Sequence, residues 1–357
     1  MFDLNFYKNK KVLVTGHTGF KGSWICTSLL QLGAEVIGYS LEPSMQPNLF
    51  YLANLEKDMR SIIGDVRDFN KLQRVINDNK PEIIIHLAAQ PIVRESYSNP
   101  LYTYETNIMG TINILECVRL SDSVKSFLNV TTDKVYENKE WVWGYRENEN
   151  LDGFDPYSNS KSCSELVTRS YKRSFLENMG IGISTARAGN VIGGGDFSKD
   201  RIIPDCIKAA FKGKSILVRN PDSIRPYQHV LEPIFAYLLI VEKQYNKLEY
   251  ADTYNVGPND RDCVNTRKLV ELFCEKWGEQ QKWKIISEKN APHESNFLKL
   301  DCSKIKNTLG WEPLYNIETA IDKTVEWSKY YKDSTDVNIC MKNQITEYIN
   351  LLNGNGD

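Results

Sequence analysis

A chain of 357 residues, 41% of them hydrophobic, is long enough for one large α/β domain or two smaller ones and can bury a sizeable core. Its formal net charge of −2 leaves no electrostatic footprint for a nucleic-acid partner, and no run of about 18 apolar residues offers a membrane span. The eight cysteines show no C-x-x-C spacing and read as reduced cytosolic thiols, while the four histidines stand apart from carboxylate clusters, so no metal site is expected. The first eleven residues are polar and run straight into a strand. No signal peptide is therefore expected, and a cytoplasmic protein is.

The first strand is expected over 10–15. Gly16-His17-Thr18-Gly19-Phe20-Lys21-Gly22 follows it, and an apolar-periodic helix runs over about 23–32. Strand, glycine turn and helix present backbone N–H groups and a helix N-terminus to a pyrophosphate. The spacing is G-x-x-G-x-x-G, one residue longer than the usual dinucleotide fingerprint. A second strand covers 34–39. Such a strand normally ends on an acid that holds the adenosine ribose. Here it ends in Tyr39-Ser40 and the nearest acid is Glu42, which leaves the ribose contact open with Ser40 at its place. Lys57 is the sole cation between Gly33 and Arg60, so a 2′-phosphate has no evident partner and NAD is expected rather than NADP.

A third strand, 60–63, leads into Gly64-Asp65-Val66. Asp65 either accepts from an adenine amino group or caps the helix expected over 69–77. The fourth strand, 81–90, ends in Leu87-Ala88-Ala89-Gln90, whose small residues allow close approach of a cofactor; His86 within it reads as a core histidine. A long helix is expected over 104–120. The fifth strand, 126–131, delivers Thr132-Asp133-Lys134 to its carboxyl end, where open α/β sheets bind ligands. Strict alternation would aim Thr132 and Lys134 one way and Asp133 the other, so convergence requires the strand to break there.

Tyr157 opens the next helix and Lys161 lies one turn on, which puts both side chains on one face. A free phenol has a pKa of ~10 and a nearby ammonium would lower it. Such a pair takes a proton from an alcohol while hydride leaves the same carbon. By itself the motif is short and also fits an exposed helix pair. A sixth strand, 182–187, runs into the glycine-rich loop 188–196, after which strand-helix alternation weakens.

The expected fold is therefore α/β: a Rossmann-like doubly wound parallel sheet with a smaller mixed α/β C-terminal unit. The first comprises 1–187, with 223–256 returning to it; the second comprises 188–222 and 257–350. Residues 351–357 read as a disordered tail. A helix should start within 200–205, and amphipathic helices are expected over 265–278 and 317–353. Arg201, Arg219 and Arg225 offer forked guanidinium donors for a diphosphate, with Tyr227 beside Arg225, although any one arginine can equally be a surface ion-pair partner.

Thr15-Gly16-His17-Thr18-Gly19-Phe20-Lys21-Gly22, Gly64-Asp65-Val66, Leu87-Ala88-Ala89-Gln90, Tyr157-x-x-x-Lys161 and Gly189-Asn190-Val191-Ile192-Gly193 occur in the order of a known family. The chain resembles the extended short-chain dehydrogenase/reductase superfamily, in its nucleotide-sugar branch, over nearly its whole length. Within that branch the nearer resemblance is to the CDP-glucose 4,6-dehydratases. It rests on Thr131-Thr132-Asp133-Lys134-Val135-Tyr136-Glu137-Asn138, on Arg225-Pro226-Tyr227-Gln228-His229-Val230-Leu231-Glu232-Pro233, and on Leu300-Asp301-Cys302-Ser303-Lys304 with Leu309-Gly310-Trp311-Glu312-Pro313.

The resemblance implies NAD held by Gly16, His17, Thr18, Gly19, Phe20, Lys21, Gly22, Ser40, Asp65, Val66, Leu87, Ala88, Ala89, Gln90, Thr106, Thr131, Tyr157 and Lys161. It implies a nucleotide-diphosphate sugar held by Thr132, Asn190, Arg201, Arg225 and Tyr227. The implied reaction is an internal redox cycle. Tyr157, helped by Lys161, takes the 4-OH proton as hydride leaves C4 for NAD. The 4-ketone acidifies C5, water is lost across C5 and C6, and hydride returns to C6. Thr132 would hydrogen-bond the C4 oxygen and Asp133 would protonate the departing 6-hydroxyl.

The dTDP-glucose enzymes of the branch carry Asp-Glu where this chain has Asp133-Lys134. Lys134, with a pKa lowered by burial and by Lys161, or a water, is expected at C5. Arg187-Ala188-Gly189 replaces the more usual Arg-Pro-Gly, a packing difference. A homodimer or dimer of dimers through the helices near 104–120 and 158–178 is implied, as is a product feeding 6-deoxy or 3,6-dideoxy sugars of surface polysaccharide. A 4-epimerase of the same fold needs no acid at C6, which Asp133-Lys134 argues against. A 4,6-dehydratase of a UDP- or GDP-sugar stays open. A non-catalytic NAD sensor of this fold is expected to lose Tyr157 or Lys161, and both are present.

Overall fold

Seven apolar runs pair side by side in a single parallel sheet. They are β1 (Lys11–Thr15), β2 (Glu35–Ser40), β3 (Arg60–Ile63), β4 (Ile83–His86), β5 (Ser126–Thr132), β6 (Gly182–Ala188) and β7 (Thr253–Val256). Their spatial order is β7-β6-β5-β4-β1-β2-β3, every pairing parallel. The computed structural model describes residues 2–43, 45–278, 280–286 and 297–354; Asn355, Gly356 and Asp357 of the expected tail lie outside them.

Parallel strands need both faces covered, which is why these runs are almost continuously apolar. Val12, Val14, Ile83, Ile85, Leu128 and Val130 pack on one face with α1 (Phe20–Gln31). Leu13, Ile37, Ile84 and Phe127 face the other way, onto α2 (Phe69–Asn79) and α3 (Gly110–Arg119). Winding reverses between β1 and β4, so the carboxyl ends of those strands open a crevice there.

Four local expectations are corrected. Helix α1 begins at Phe20 rather than near 23, because Gly19 is extended (φ −80°, ψ 174°) and serves as its N-cap. Asp65 does not cap α2; Asp68 does, accepting from the Lys71 amide at 3.0 Å. The long helix starts at Pro100, and a widened π turn over Glu105–Met109 joins its first turn to α3. The helix expected over 317–353 is two helices, interrupted at 333–336 where Ser334 takes φ 56°.

Next come α4 (Pro156–Tyr171), which carries Tyr157 and Lys161, then α5 (Ile202–Phe211) and α6 (Leu231–Asn246). Helix α6 lies under β5 and β6 and shares the first face's core with α1. Beyond β7, α7 (Thr266–Trp277) and α8 (Ile317–Lys332) join α5 around Cys206, Leu269, Phe273 and Ile321, a separate core. The last helix, α9 (Val337–Leu352), turns back and packs Met341, Ile345 and Tyr348 into the sheet's own core. Among the described residues no helix is long and apolar enough to cross a membrane, and no cluster of ligating side chains suits a metal. All eight cysteines are free thiols.

Candidate active site

The glycine turn is built around close approach. Gly16 takes φ +75°, and a Cβ there would meet the Ala88 amide nitrogen at 2.9 Å. A Cβ on Gly22 would collide with the Gly16 carbonyl. Helix α1 therefore starts hard against β1 and β4, with no side-chain cap and no acid in its first turn. Uncapped N–H groups at a helix N-terminus suit an anionic phosphate. Around the same crevice Thr106 Oγ1, on the widened turn, and His17 Nδ1 are buried without a hydrogen-bond partner. Ligand or solvent commonly satisfies such orphan groups, so the turn fits a dinucleotide.

The sequence candidates divide in their surroundings. Ser40 Oγ lies 2.9 Å from Thr18 Oγ1, at the end of β2. His17 Nε2 lies 2.7 Å from Ser61 Oγ, and burial lowers the ring's pKa to about 4. The Asp65 carboxylate is taken by Arg67, whose Nη2 donates at 2.7 Å. Val66 packs in the second-face core, under Gly110. Gln90 is a clamp: its Nε2 donates to Thr103 Oγ1 at 2.8 Å and its Oε1 accepts from the Ile92 amide. The Leu87 and Ala88 amides donate to Thr15 Oγ1 at 3.2 Å, and Ala89 follows half-buried. His86, as expected, is satisfied in the core between Thr15 and Thr111.

At the end of β5 the strand does break. Asp133–Val135 form a tight 3₁₀ turn whose first amide partner, Lys134 N, lies 3.4 Å from Thr132 Oγ1. The break lets Thr132, Asp133 and Lys134 leave strict alternation. Thr132 Oγ1 donates to Asp133 Oδ1 at 3.0 Å, while Asp133 Oδ2 is buried without a partner. Burial raises the Asp133 carboxyl above its ordinary value, against the opposing pull of Lys134, Thr132, Arg225 and Lys21. A shift in that direction favours the protonated form, which a proton donor needs. Lys134 is half-buried.

Tyr157 stands in the first turn of α4, whose N-cap Asp155 accepts from the Ser158 amide. Burial pushes its phenol up to about 12, opposed by the Thr132 hydroxyl and the Arg201 guanidinium. The sequence expectation that Lys161 lowers this pKa is not met. Lys161 donates Nζ to the Val130 carbonyl at 3.1 Å, and burial with Lys21 brings its own pKa down to about 8, against Glu165. Lys21, half-buried beside Arg201, is also brought down to about 8 by desolvation and Arg201, against Asp133 and Asp196. Lys21, Asp133, Tyr157, Arg201 and Arg225 thus share one electrostatic neighbourhood at the crevice.

Arg201 is held by Asp196 at 3.0 Å, and buried Arg225 donates to the Ile224 carbonyl at 2.9 Å. Asn190 sits half-buried between β6 and Val191–Ile192, its carbonyl accepting from Gln228. Arg219 pairs instead with Asp200 and Asp205. Tyr227 is a core aromatic of the C-terminal unit, its hydroxyl 3.4 Å from Thr266 Oγ1.

One constellation went unread in the sequence. Glu165, one turn beyond Lys161, forms an ion pair with Arg187 at 2.8 Å, and their side chains are 1% and 0% exposed. Thr131 donates to the same carboxylate at 2.5 Å, and Thr185 at 2.9 Å. Thr131 is therefore committed to Glu165 through its side chain. Arg187 reaches on to Tyr136 Oη at 2.8 Å. The i, i+4 spacing of Lys161 and Glu165 was the one available signal. A cavity of about 990 Å³ opens elsewhere, between the end of α4 and the β6–β7 edge, and includes Glu165 in its lining.

The family model described as GDP-mannose 4,6 dehydratase matches residues 13–324. A CDP-glucose 4,6-dehydratase of Salmonella typhimurium is 45% identical over 355 residues, spanning 98% of this chain and 99% of that protein. A dTDP-glucose 4,6-dehydratase of Xanthomonas campestris is 28% identical, covering 88% and 92%. Among solved structures, the Bacillus anthracis dTDP-glucose 4,6-dehydratase in complex with NAD superposes with TM-score 0.77 at 22% identity, over 92% of this chain and 99% of that one. The Thermotoga maritima UDP-glucose 4-epimerase with UDP-glucose gives TM-score 0.78 at 24% identity, over 91% and 99%. The seven-stranded parallel sheet agrees with these superpositions, and the chain belongs to the nucleotide-sugar 4,6-dehydratase family, within the extended short-chain dehydrogenase/reductase superfamily.

Proposed function

We propose that this chain is an NAD-dependent CDP-D-glucose 4,6-dehydratase, a hydro-lyase that makes CDP-4-dehydro-6-deoxy-D-glucose and water. The observation that carries the reading is Asp133: a buried acid with one unpartnered oxygen, in the same neighbourhood as Tyr157 and Thr132. The likeness to the Salmonella enzyme supports the cytidine nucleotide.

The Gly16–Gly22 turn and the N-terminus of α1 would hold the NAD pyrophosphate, with Thr106 and His17 nearby. When bound, NAD supplies the redox partner for C4 and C6 and, through its cationic ring, positive charge that favours the Tyr157 phenolate against burial. The chain's own residues do the rest. Tyr157 takes the proton from the 4-hydroxyl. Thr132, whose hydroxyl acts on both Tyr157 and Asp133, orients O4. Lys161 ties α4 to β5 through the Val130 carbonyl and so sets the depth of Tyr157. Asp133 gives its proton to the 6-hydroxyl as it leaves as water, and Lys134, or a water, removes the C5 proton and returns one to C5 when C6 is reduced. Arg201 and Arg225 bind the diphosphate. Asp196 steers Arg201.

Two wider assignments go with this reading. Leu101, Met109, Leu166 and Phe175 are exposed along 100–119 and 156–176, and they support a homodimer through those helices. Eight free thiols suit the reducing cytoplasm, where the product would feed 6-deoxy or 3,6-dideoxy sugars of surface polysaccharide. The test is incubation of the purified protein and NAD with CDP-, dTDP-, UDP- and GDP-hexoses, with 4-keto-6-deoxy product read by its alkaline absorbance. Turnover with CDP-glucose is expected; turnover only with a non-cytidine nucleotide overturns the substrate assignment.

A further inference from the structure

We propose that Tyr136, acting with the buried Glu165–Arg187 pair, is a positioning residue for the elimination of water, distinct from the groups that oxidise C4. The inference rests on the dehydratase reading above. The two halves of the chemistry sit on two pieces of chain. Tyr157 and Lys161 ride on α4, and Thr132, which orients O4, is held within β5, whereas Asp133 and Lys134 ride on the turn after it.

Those pieces are fastened to one another at successive points. Lys161 Nζ donates to the Val130 carbonyl at 3.1 Å, and Thr131 Oγ1 donates to Glu165 at 2.5 Å. On the far side of the turn, Ser162 Oγ donates to the Val135 carbonyl at 2.7 Å. The next residue, Tyr136, is the outer anchor. Its hydroxyl accepts from Arg187 Nη1 at 2.8 Å and donates to Asn255 Oδ1 at 2.6 Å, and the guanidinium lies over its ring at 4.9 Å. Arg187 is in turn held by Glu165 through Nε at 2.9 Å and Nη2 at 2.8 Å. Asn255 continues the chain into β7, and its Nδ2 donates to the Tyr145 carbonyl at 2.8 Å.

Asp133 has no such support of its own. Its one hydrogen bond is to its neighbour Thr132, and its other oxygen has none. Its reach toward C6 is therefore set by where the backbone of 133–136 lies, and that turn is fixed through Ser162 and Tyr136. Tyr157, on the first turn of a capped helix, does not depend on this anchor. Loosening Tyr136 should displace the acid while sparing the phenol. A displacement of about 1 Å can cost on the order of 100-fold in a positioned proton transfer.

The test is Tyr136→Phe, which keeps the ring and its stacking and removes only the hydroxyl. The variant leaves Asn255 Oδ1 without its donor and is expected to melt a few degrees below wild type, while binding CDP-glucose with unchanged affinity by calorimetry. Its kcat for product should fall about 10- to 100-fold at constant KM. Single-turnover C4 oxidation, followed by reduced-nicotinamide absorbance, should keep its wild-type rate, so that a 4-keto sugar still bearing its 6-hydroxyl accumulates. Ser162→Ala, which frees the Val135 carbonyl from α4, should give the same split. Equal loss of oxidation and elimination, or loss of neither, overturns the assignment. Wild-type protein that makes no 4-keto-6-deoxy sugar at all sinks the dehydratase reading, and this assignment with it, before any substitution is compared.

Discussion

Replacing Glu165 with glutamine tests what holds the catalytic helix to the sheet. Its carboxylate accepts four donors: Thr131, Thr185 and two nitrogens of Arg187. Both charges are fully enclosed. Glutamine offers one acceptor oxygen and turns an amide donor toward a guanidinium that has lost its counter-charge. Breaking one side of a buried ion pair typically costs about 3–5 kcal/mol, which for a chain of this size lowers the melting temperature by about 4–7 °C. Removing both charges is different, because well-packed apolar residues often replace a buried pair at little net cost. Thermal denaturation of Glu165→Gln, Arg187→Met and the Glu165→Met/Arg187→Met double variant should show the double variant recovering more than half of the single losses. The pH dependence has a definite sign. Burial alone would raise the Glu165 carboxyl, but Arg187, Thr131 and Thr185 outweigh it and hold it below the usual range. The pair's contribution is thus complete above the ordinary glutamate pKa of about 4.3 and is lost as pH falls through the lower folded value. Additive losses in the double variant, or a Glu165→Gln protein as stable as wild type at neutral pH, would refute the reasoning.

Other substitutions probe the chemistry and the fold. Tyr157→Phe should cut turnover by about 100- to 10,000-fold while CDP-glucose still binds, as steady-state kinetics with calorimetry would show. Lys134→Met should still oxidise C4 but stall before water leaves; normal dehydration by this variant would remove Lys134 from its role. Burial holds His17 at about 4 and His86 and His229 at about 3, all below the ordinary value. Their folded pKa values are depressed, so the unfolded chain binds more protons and stability should fall as pH drops from about 6.5 toward 4. A denaturant midpoint flat across that window would contradict these burials.

The strands were legible because a parallel sheet covered on both faces demands near-continuous apolar runs, and 11–15, 83–86 and 126–132 supply them. The glycine turn was legible because Gly16 and Gly22 answer to backbone contacts a few residues away. The divided use of Thr131 and Asp133 was partly visible in the strand break. What could not be read joins distant segments. Tyr136, Glu165, Arg187 and Asn255 come from four elements and carry no local spacing between them. Sequence reasoning treated the Ala188 exchange as packing and gave Arg187 no role, yet Arg187 is the centre of that network. The expected depression of the Tyr157 pKa failed for a related reason. Helical spacing places Lys161 near the phenol, but only the fold shows its ammonium given to the Val130 carbonyl and the half-buried phenol raised by desolvation. The widened turn bearing Thr106 runs into Gly110, which lies hard against Val66, a contact no periodicity encodes.

Isotope transfer within one sugar tests most directly the claim that a single hexose is worked on at C4, C5 and C6 in one crevice. CDP-D-glucose deuterated at C4, turned over by the protein with NAD and followed by NMR, should give product with that deuterium at C6 and the 6-hydroxyl gone. Deuterium remaining on C4 of a sugar that keeps its 6-hydroxyl, or lost altogether to solvent, would contradict it.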